Sequence, residues 1–329
     1  MKKVLLGTAA LLLAFAVVSC GGKKSDTVVW KLAFNQSGEH PQARGMKWLS
    51  DEFYKATNGA YRIEVNPNEL LGNQKDSFEL VQRGAIQMAL LGNPIVEAVN
   101  PDFGLLALPG LYSSVEHQQR VFTSDLLKDL YASTAKNNFY VLSAIHGGTR
   151  NIYAKKPVRS PADLKGMKIR VMQSQSMMDV INAMGGIAVA MSQGEVYTAI
   201  QQGVLDGAEN NEVTYYDLKQ YEVAPIYSYT KHFMMPDILV INKEAYDSLT
   251  PEHKAIFDKL VKEAVVLTTS LFLEQIEKAK VDAIKGGAQF IEDFDPAVFS
   301  KNFAAIVNNF ISKSAFRKNL YNKIKAAGK

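Results

Sequence analysis

The chain has 329 residues, 47% of them hydrophobic and 21% charged, which is the composition of a globular protein long enough for two domains. The formal net charge is only +4, and no run of lysine and arginine occurs. Because nucleic-acid-binding proteins carry a concentrated basic patch, we expect no nucleic-acid partner.

The N-terminus has the pattern of a secretory signal. Lys2 and Lys3 precede an apolar run that ends in the letters VVSC, with Cys20 last. A basic start and a short apolar stretch predict a signal peptide over 1–19. VVSC looks like a bacterial lipobox, which predicts lipidation of Cys20; the alternative is a plain signal peptide with an incidental cysteine. Residues 20–26 would then form a lipid-anchored tether, and the protein is expected to be exported and held on the extracytoplasmic side of a membrane.

The first part of the folded chain alternates between strand and helix patterns. VVWKLAF and YRIEVNP read as strands, with helical spacing between them, and SFELVQRG and IQMALLG continue as helix and strand. This alternation predicts an α/β fold with mostly parallel pairing, in which ligands lie at the carboxyl ends of strands. Any single polar residue at such an end is better explained as a turn-former, but the set indicates one crevice. Its members are Asn35 and Gln36, Asn68 and Glu69, and Gly92 and Asn93.

Two arginines stand inside short apolar strand patterns, Arg150 in TRNIYAK and Arg170 in MKIRVM. Since a guanidinium keeps its charge and is unfavourable when buried alone, each needs an anionic partner. That partner is either a ligand carboxylate, which the planar group binds in a bidentate manner, or a permanent structural acid. The candidate acids are Glu209 and Asp206. Because AENN falls at the end of a neighbouring predicted strand, a ligand role for at least one arginine is favoured, with Glu209 and His232 balancing the other.

The last third of the chain predicts one crossing strand and one very long helix. SYTKHFMMPDILVIN reads as a strand that returns to the first lobe, and Pro236 within it argues for an edge or a crossover point. Thr250 and Pro251 form a helix start, and the helical pattern then continues without a breaker to Gly286. Such a helix measures about 50 Å at 1.5 Å per residue. That length suggests a spine lying across two lobes.

Little in the sequence supports catalysis. The five histidines form neither HExxH nor a zinc-ligand spacing, and GxSxG, P-loop and GxGxxG motifs are missing. Cys20 is the only cysteine, so lipidation leaves no thiol in the folded part. We therefore expect no enzyme, no cofactor and no metal. The enzymatic alternative is a secreted enzyme that acts on acidic sugars through the carboxylate cluster Glu195, Asp206, Glu209 and Glu212.

Three motifs in this order, GTRNIY, SPADLKGMKIRV and GEVYTAIQQGVLDGAEN, carry a family resemblance. Together they resemble the solute-binding receptors of TRAP transporters, the DctP-like family. The resemblance implies a two-lobed periplasmic-binding-protein-like fold with hinge-crossing strands and a long helix bridging both lobes. Lobe I would comprise 27–147 plus about 237–270, and lobe II 148–236 plus about 271–329. The implied partner is a TRAP membrane permease; a stand-alone lipoprotein for sensing is the alternative.

The resemblance also implies roles for individual positions. Arg170 matches the family's main carboxylate clamp. The other matches are ligand contacts at Arg150, Asn210 and Asn35, and a supporting network at Glu209 and His232.

Two departures separate this chain from the sialic-acid branch of the family. A first-lobe glutamate is replaced by Gly92 or Asn93, and an aromatic residue before GEVY is replaced by Gln193. A buried hydroxyl without a partner costs about 1–3 kcal/mol, so a hydroxyl-rich ligand needs many polar contacts. The candidates are Gln36, His40, Gln74, Asn93, Gln193, Asn211 and Asp237. We favour a small carboxylate of the sugar-acid class, a uronate or an aldonate, with a C4-dicarboxylate or sialic acid as the alternative.

Overall fold

The computed structural model describes residues 27–328. The predicted signal peptide, the lipidation site at Cys20 and the tether lie outside the described residues. Within them, no helix combines the length and the apolar character that crossing a membrane requires.

The described residues form strands and helices in alternation, as the sequence predicted. The strands are β1 (Val28–Phe34), β2 (Tyr61–Asn66), β3 (Met88–Gly92), β4 (Phe139–His146), β5 (Arg150–Ala154), β6 (Lys168–Val171), β7 (Ile187–Ala190), β8 (Gly207–Asn210), β9 (Ile226–Phe233), β10 (Pro236–Asn242) and β11 (Gln289–Ile291). The α-helices are α1 (Pro41–Ala56), α2 (Gln74–Gln82), α3 (Asn93–Glu97), α4 (Val115–Thr123), α5 (Lys128–Ala132), α6 (Gln175–Ala183), α7 (Val196–Gln201), α8 (Glu212–Asp217), α9 (Lys243–Asp247), α10 (Pro251–Lys285), α11 (Phe303–Ile311) and α12 (Ala315–Ala326).

The strands are divided between two sheets. The first has the order β2-β1-β3-β10-β4 and the second β11-β9-β5-β8-β6-β7. β1 pairs in parallel with β2 and β3, as the strand–helix–strand pattern predicted. β10 is antiparallel to both of its neighbours, and so is β5. The sheets are therefore mixed rather than mostly parallel. The antiparallel pairs arise where the chain enters a sheet from the other one, at β5 and at β10.

The chain crosses between the sheets at two adjacent extended segments and a third time through α10, which leads from β10 to β11. One of the extended segments, residues 147–149, joins β4 to β5, and the other, Met234 and Met235, joins β9 to β10. The predicted single strand over 228–242 is thus two strands in different sheets, and the crossover inferred from Pro236 is confirmed. Pro236 begins β10, a central strand, where a missing N–H is tolerated. A Cβ on Gly147 would lie 2.9 Å from the Met235 carbonyl oxygen, so the two crossing segments approach too closely for a side chain there.

The helix α10 confirms the predicted spine. It has 35 residues, and the Thr250 hydroxyl caps its start by accepting the His253 N–H. It packs on α1 and β4 from the first-sheet region and on α8 from the second. A Cβ on Gly45 in α1 would lie 2.0 Å from Thr268 Oγ1, so glycine permits the close approach of these helices despite its low helix propensity.

The last helix has a position that the sequence did not indicate. Arg317 Nε in α12 lies 2.7 Å from Asp102 Oδ1, and His117 Nε2 lies 2.8 Å from the Ile324 carbonyl oxygen. The sequence prediction places residues 101–127 in lobe I and 271–329 in lobe II, so α12 of the predicted lobe II contacts a segment of the predicted lobe I. The boundaries of the two lobes stay a prediction.

Candidate functional site

Arg170 is a buried cation without an acidic partner. It lies in β6 and is only 1% exposed. Its Nε donates to the Met191 carbonyl oxygen at 2.8 Å and its NH1 to Gln193 Oε1 at 3.1 Å. A guanidinium has five N–H donors, so these two bonds leave three. Among residues 27–328, no carboxylate forms an ion pair with it, and burial lowers the pKa of the Arg170 guanidinium to about 10.

Arg150 is in the opposite situation, because Glu209 neutralises it. Its Nε and NH2 lie 2.5 Å and 2.8 Å from the two carboxylate oxygens of Glu209, and NH1 donates to Asn210 Oδ1 at 3.0 Å. The antiparallel pairing of β5 with β8 brings these residues together. Asp206, the other candidate acid, instead accepts the Lys168 N–H. Of the two alternatives for the arginines, Arg150 therefore has a structural acid and Arg170 has none.

Glu209 is held between Arg150 and a histidine. Burial alone would raise the pKa of Glu209, but the charge and hydrogen bonds of Arg150 outweigh burial, and the pKa lies below its ordinary value. His232 Nε2 lies 3.6 Å from Glu209 Oε2, and its Nδ1 lies 2.8 Å from Thr230 Oγ1. Burial lowers the pKa of His232, so its ring is neutral at pH 7. The supporting role of Glu209 and His232 in ligand binding stays a prediction.

Two adjoining cavities open beside these arginines. The polar cavity has an empty volume of about 350 Å³ and is lined by Asn35, Gln36, His40, Gln42, Gln74, Gly147, Arg150, Met172, Gln193, Asn210, Asn211, Thr214 and Asp237. The Arg170 cavity, of about 260 Å³, is lined by Glu69, Asn73, Gln74, Lys75, Ile95, Arg170, Met172, Gln173, Met191, Ser192 and Gln193. Gln74, Met172 and Gln193 belong to both linings, so they form the boundary between the cavities.

His40 presents a hydrogen-bond donor to the polar cavity. Its Nδ1 accepts the Gln42 N–H at 3.3 Å at the start of α1. Burial lowers the pKa of His40 to about 3, so the ring is neutral at pH 7. Because Nδ1 is the acceptor, the single ring proton is on Nε2, which is buried and has no partner within the described residues.

The same wall also carries hydrogen-bond acceptors. Gln42 donates its Nε2 to Asp237 Oδ2 at 2.6 Å and to the His146 carbonyl oxygen at 3.0 Å. Its Oε1, like Gln36 Oε1, is buried without a partner among residues 27–328. Burial raises the pKa of Asp237, while the Gln42 hydrogen bond and the charge of Arg150 act in the opposite direction. The first-sheet wall is thus rich in acceptors, and the second-sheet wall carries the two arginines.

The structure brings together most residues that the sequence proposed. Nine line the polar cavity: Asn35, Gln36, His40, Gln74, Arg150, Gln193, Asn210, Asn211 and Asp237. Arg170 lines the adjoining cavity. Asn93 lines neither, because it is fully buried at the start of α3 and donates to the Phe103 carbonyl oxygen at 2.9 Å. Asn211 caps α8 by accepting the Thr214 N–H at 2.8 Å, so part of its bonding capacity serves the fold.

Several lining residues were not anticipated from the sequence. Gln42, Met172 and Thr214 line the polar cavity, and Asn73, Lys75, Gln173 and Ser192 the Arg170 cavity. Gln42 had a usable signal, because it stands two residues after His40 in the first turn of the predicted helix. Among the described residues, no group of three His, Cys, Asp or Glu side chains is placed to hold a metal ion.

Comparisons with known proteins agree with this architecture. The sequence profile of the bacterial extracellular solute-binding proteins of family 7, named DctP, matches residues 32–314. A TRAP periplasmic solute-binding protein from Xanthobacter autotrophicus, with bound β-D-galacturonate, has a TM-score of 0.86 at 32% identity, covering 90% of this chain and 99% of that one. A second from Anaerococcus prevotii, with bound α/β-D-glucuronate, has a TM-score of 0.88 at 33% identity over 92% and 98%. The 2,3-diketo-L-gulonate-binding periplasmic protein YiaO of Escherichia coli is 28% identical, covering 82% of this chain and 83% of YiaO.

These matches decide between the classes of protein considered from the sequence. The two-lobed α/β fold is confirmed, since the neighbours share it over nearly all of their length. The family consists of extracellular receptors for solutes, so the chain is not an enzyme and the secreted-enzyme alternative is wrong. The chain belongs to family 7 of the bacterial extracellular solute-binding proteins, the DctP-type receptors of TRAP transporters.

Proposed function

We propose that this receptor binds a hexuronate and delivers it to a TRAP membrane permease. The observation that carries the proposal is Arg170, a buried guanidinium on the lining of a cavity that forms no ion pair with a carboxylate of residues 27–328 and has three N–H donors left over. A buried arginine of this kind requires an anion, and a carboxylate matches its planar donor geometry. The ligand's carboxylate would therefore bind at Arg170.

The polar cavity supplies the reason for a sugar acid. Its first-sheet wall offers the Oε1 atoms of Gln36 and Gln42, which have no partner among residues 27–328, together with the carboxyl group of Asp237 and the Nε2–H of His40. A polyhydroxylated ligand satisfies such groups, because each hydroxyl can donate and accept. A succinate-like C4-dicarboxylate has no hydroxyl for them, and the chain lacks the first-lobe glutamate of the sialic-acid receptors.

The similar proteins support the same class of ligand. Two of the solved neighbours hold galacturonate and glucuronate, and YiaO binds 2,3-diketo-L-gulonate. All three compounds are acids of six-carbon sugars. A uronate is accordingly the first choice, and an aldonate or a C4-dicarboxylate is the alternative.

Contacts between the two sheet regions suggest how binding is coupled to closure. Glu97, beside the first sheet, accepts hydrogen bonds from Ser174 at 3.2 Å and Ser176 at 2.8 Å, beside the second. A second contact joins the same two regions, because the Ser37 hydroxyl beside the first sheet donates to Asp217 Oδ2 beside the second at 3.3 Å. A ligand drives closure only if it makes better contacts in the closed form. A uronate that joins Arg170 to the first-sheet wall meets this condition, and the closed form would be the one that docks on the permease.

A binding screen tests the proposed ligand class. With a uronate at about 100 times its Kd, we expect the free energy of unfolding to rise by roughly 2.7 kcal/mol, which is visible as a higher Tm. The ligands to compare are D-glucuronate, D-galacturonate, D-gluconate, succinate and N-acetylneuraminate, each added to protein freed of co-purified ligand. If succinate alone raises the Tm, the proposed ligand class changes from a sugar acid to a C4-dicarboxylate. No shift with any of them would contradict the proposal.

We also propose that Cys20 anchors the receptor to the membrane through a lipid. The support is the VVSC sequence after an apolar run, together with membership in a family of extracellular proteins. In a bacterial host, we expect the full-length protein in the membrane fraction and the Cys20→Ala variant absent from it. A wild-type protein found in the soluble extracytoplasmic fraction, with an unmodified N-terminus by mass spectrometry, would favour the plain signal peptide.

A further inference from the structure

We infer that Asp237 makes the receptor selective for acids with a single carboxylate and excludes aldarates, in which both ends of the sugar chain are carboxylates. The inference rests on the proposed binding of a hexuronate at Arg170. A hexuronate and the corresponding aldarate share one carbon skeleton. They differ at C1, where the uronate has a neutral hydroxyl-bearing carbon and the aldarate has a second negative charge.

The position of Asp237 is fixed by its neighbours. It is the second residue of β10 and pairs with Gly92 of β3 and Ile145 of β4. Its Oδ2 accepts the Gln42 Nε2–H at 2.6 Å, and a Cβ on Gly147 would lie only 3.1 Å from this oxygen. Oδ1 accepts no hydrogen bond from residues 27–328, and the residue lines the polar cavity. One carboxylate oxygen therefore remains for a ligand.

No cation in the polar cavity is left to receive a second carboxylate. Among residues 27–328, its ionisable lining residues are Arg150, Asp237 and His40, and His40 is neutral at pH 7. Arg150 already has both carboxylate oxygens of Glu209 as partners. Arg170 lies in the adjoining cavity and takes the first carboxylate of the ligand. A second carboxylate would thus face the carboxyl group of Asp237, with no unpaired cation beside it in the described chain.

Two neighbouring amide oxygens act in the same direction. The buried Oε1 atoms of Gln36 and Gln42 are acceptors without partners in the described chain. A ligand hydroxyl can donate a hydrogen bond to each of them and to Asp237, whereas a carboxylate has no proton to donate. Like charges brought together in a binding site disfavour the wrong ligand strongly. The first-sheet wall therefore selects a hydroxylated end and rejects an anionic one.

The test measures Kd for D-glucuronate and D-glucarate by calorimetry on the purified protein freed of bound ligand. For the wild type, we expect glucarate to bind at least about 100-fold more weakly than glucuronate. Asp237→Asn keeps the side-chain shape and an acceptor for Gln42 but removes the charge. This variant is expected to reduce the ratio of the two Kd values at least about tenfold, chiefly through tighter binding of glucarate. Asp129→Asn, at an exposed position of α5, is the matched control with an unchanged ratio.

Different results separate this inference from the proposed function. Asp237→Ser serves as a second variant. If the wild type binds glucuronate but both Asp237 variants keep its ratio of the glucarate and glucuronate Kd values, only the role of Asp237 is overturned. Equal binding of glucuronate and glucarate by the wild type overturns it as well. Failure of the wild type to bind glucuronate or galacturonate overturns the proposed function, and the inference with it. Thermal unfolding of each variant establishes that the compared proteins are folded.

Discussion

Replacing Arg170 with methionine is expected to abolish high-affinity binding of the ligand. Loss of a buried charged partner of a carboxylate costs about 2–5 kcal/mol, an increase in Kd of roughly thirtyfold to a few thousandfold. The reason is that Arg150 is ion-paired with Glu209, whereas Arg170 forms no ion pair with a carboxylate of residues 27–328. Calorimetric titration with D-glucuronate measures the loss.

The same replacement is expected to leave the ligand-free protein at least as stable as the wild type. Burial lowers the pKa of Arg170 to about 10, which means that the fold holds this charge at a cost. Methionine removes the charge and fills a similar volume, although the Met191 carbonyl and Gln193 each lose a donor. Urea unfolding without ligand measures stability, and Arg83→Met at an exposed position is the control. Affinity within threefold of the wild type would show that the carboxylate binds elsewhere.

Replacing Glu209 with glutamine is expected to be among the most destabilising changes of a polar residue in this chain. Glu209 is fully buried and contacts Arg150 through both carboxylate oxygens. Removing one partner of a buried ion pair leaves the other charge uncompensated, which costs about 3–5 kcal/mol. Denaturant unfolding of the ligand-free variant measures the loss, and the exposed Glu244→Gln is the matched control.

The same pair predicts a pH dependence with a defined sign. Because the pKa of Glu209 lies below its ordinary value of 4.5 in the fold, its contribution to stability is present above that pH. The contribution is lost as the pH falls through the lowered value in the folded protein. The free energy of unfolding of Glu209→Gln should therefore fall less steeply than that of the wild type under acid conditions. Parallel acid profiles would contradict the ion-pair explanation, and recovery of stability in the double variant with Arg150→Met would support it.

Local sequence patterns determined the secondary structure where one signal dominated. The hydroxyl cap and proline at Thr250 and Pro251 and the lack of a breaker before Gly286 predicted α10 nearly residue for residue. Strand alternation likewise predicted β1 to β3 and their parallel pairing. These features depend on neighbours within a few residues. For the same reason the segment 228–242 was read as one strand, since both halves have strand patterns and only the sheets to which they belong distinguish them.

Sequence alone also showed that Arg150 and Arg170 each require an anion, because a guanidinium cannot lose its charge on burial. It could not show which of them the protein itself satisfies. The answer depends on the order of the strands, in which β8 lies between β5 and β6. Glu209 of β8 is 59 residues from Arg150 in sequence, and it forms its ion pair with Arg150 and not with Arg170. The neutral donor at His40 and the hydrogen bond between Gln42 and Asp237 likewise arise from burial and from contacts between distant segments. The need for an anion is thus a property of the residues, whereas the place left for the ligand is a property of the tertiary structure, because only three-dimensional packing decides which charges are already paired.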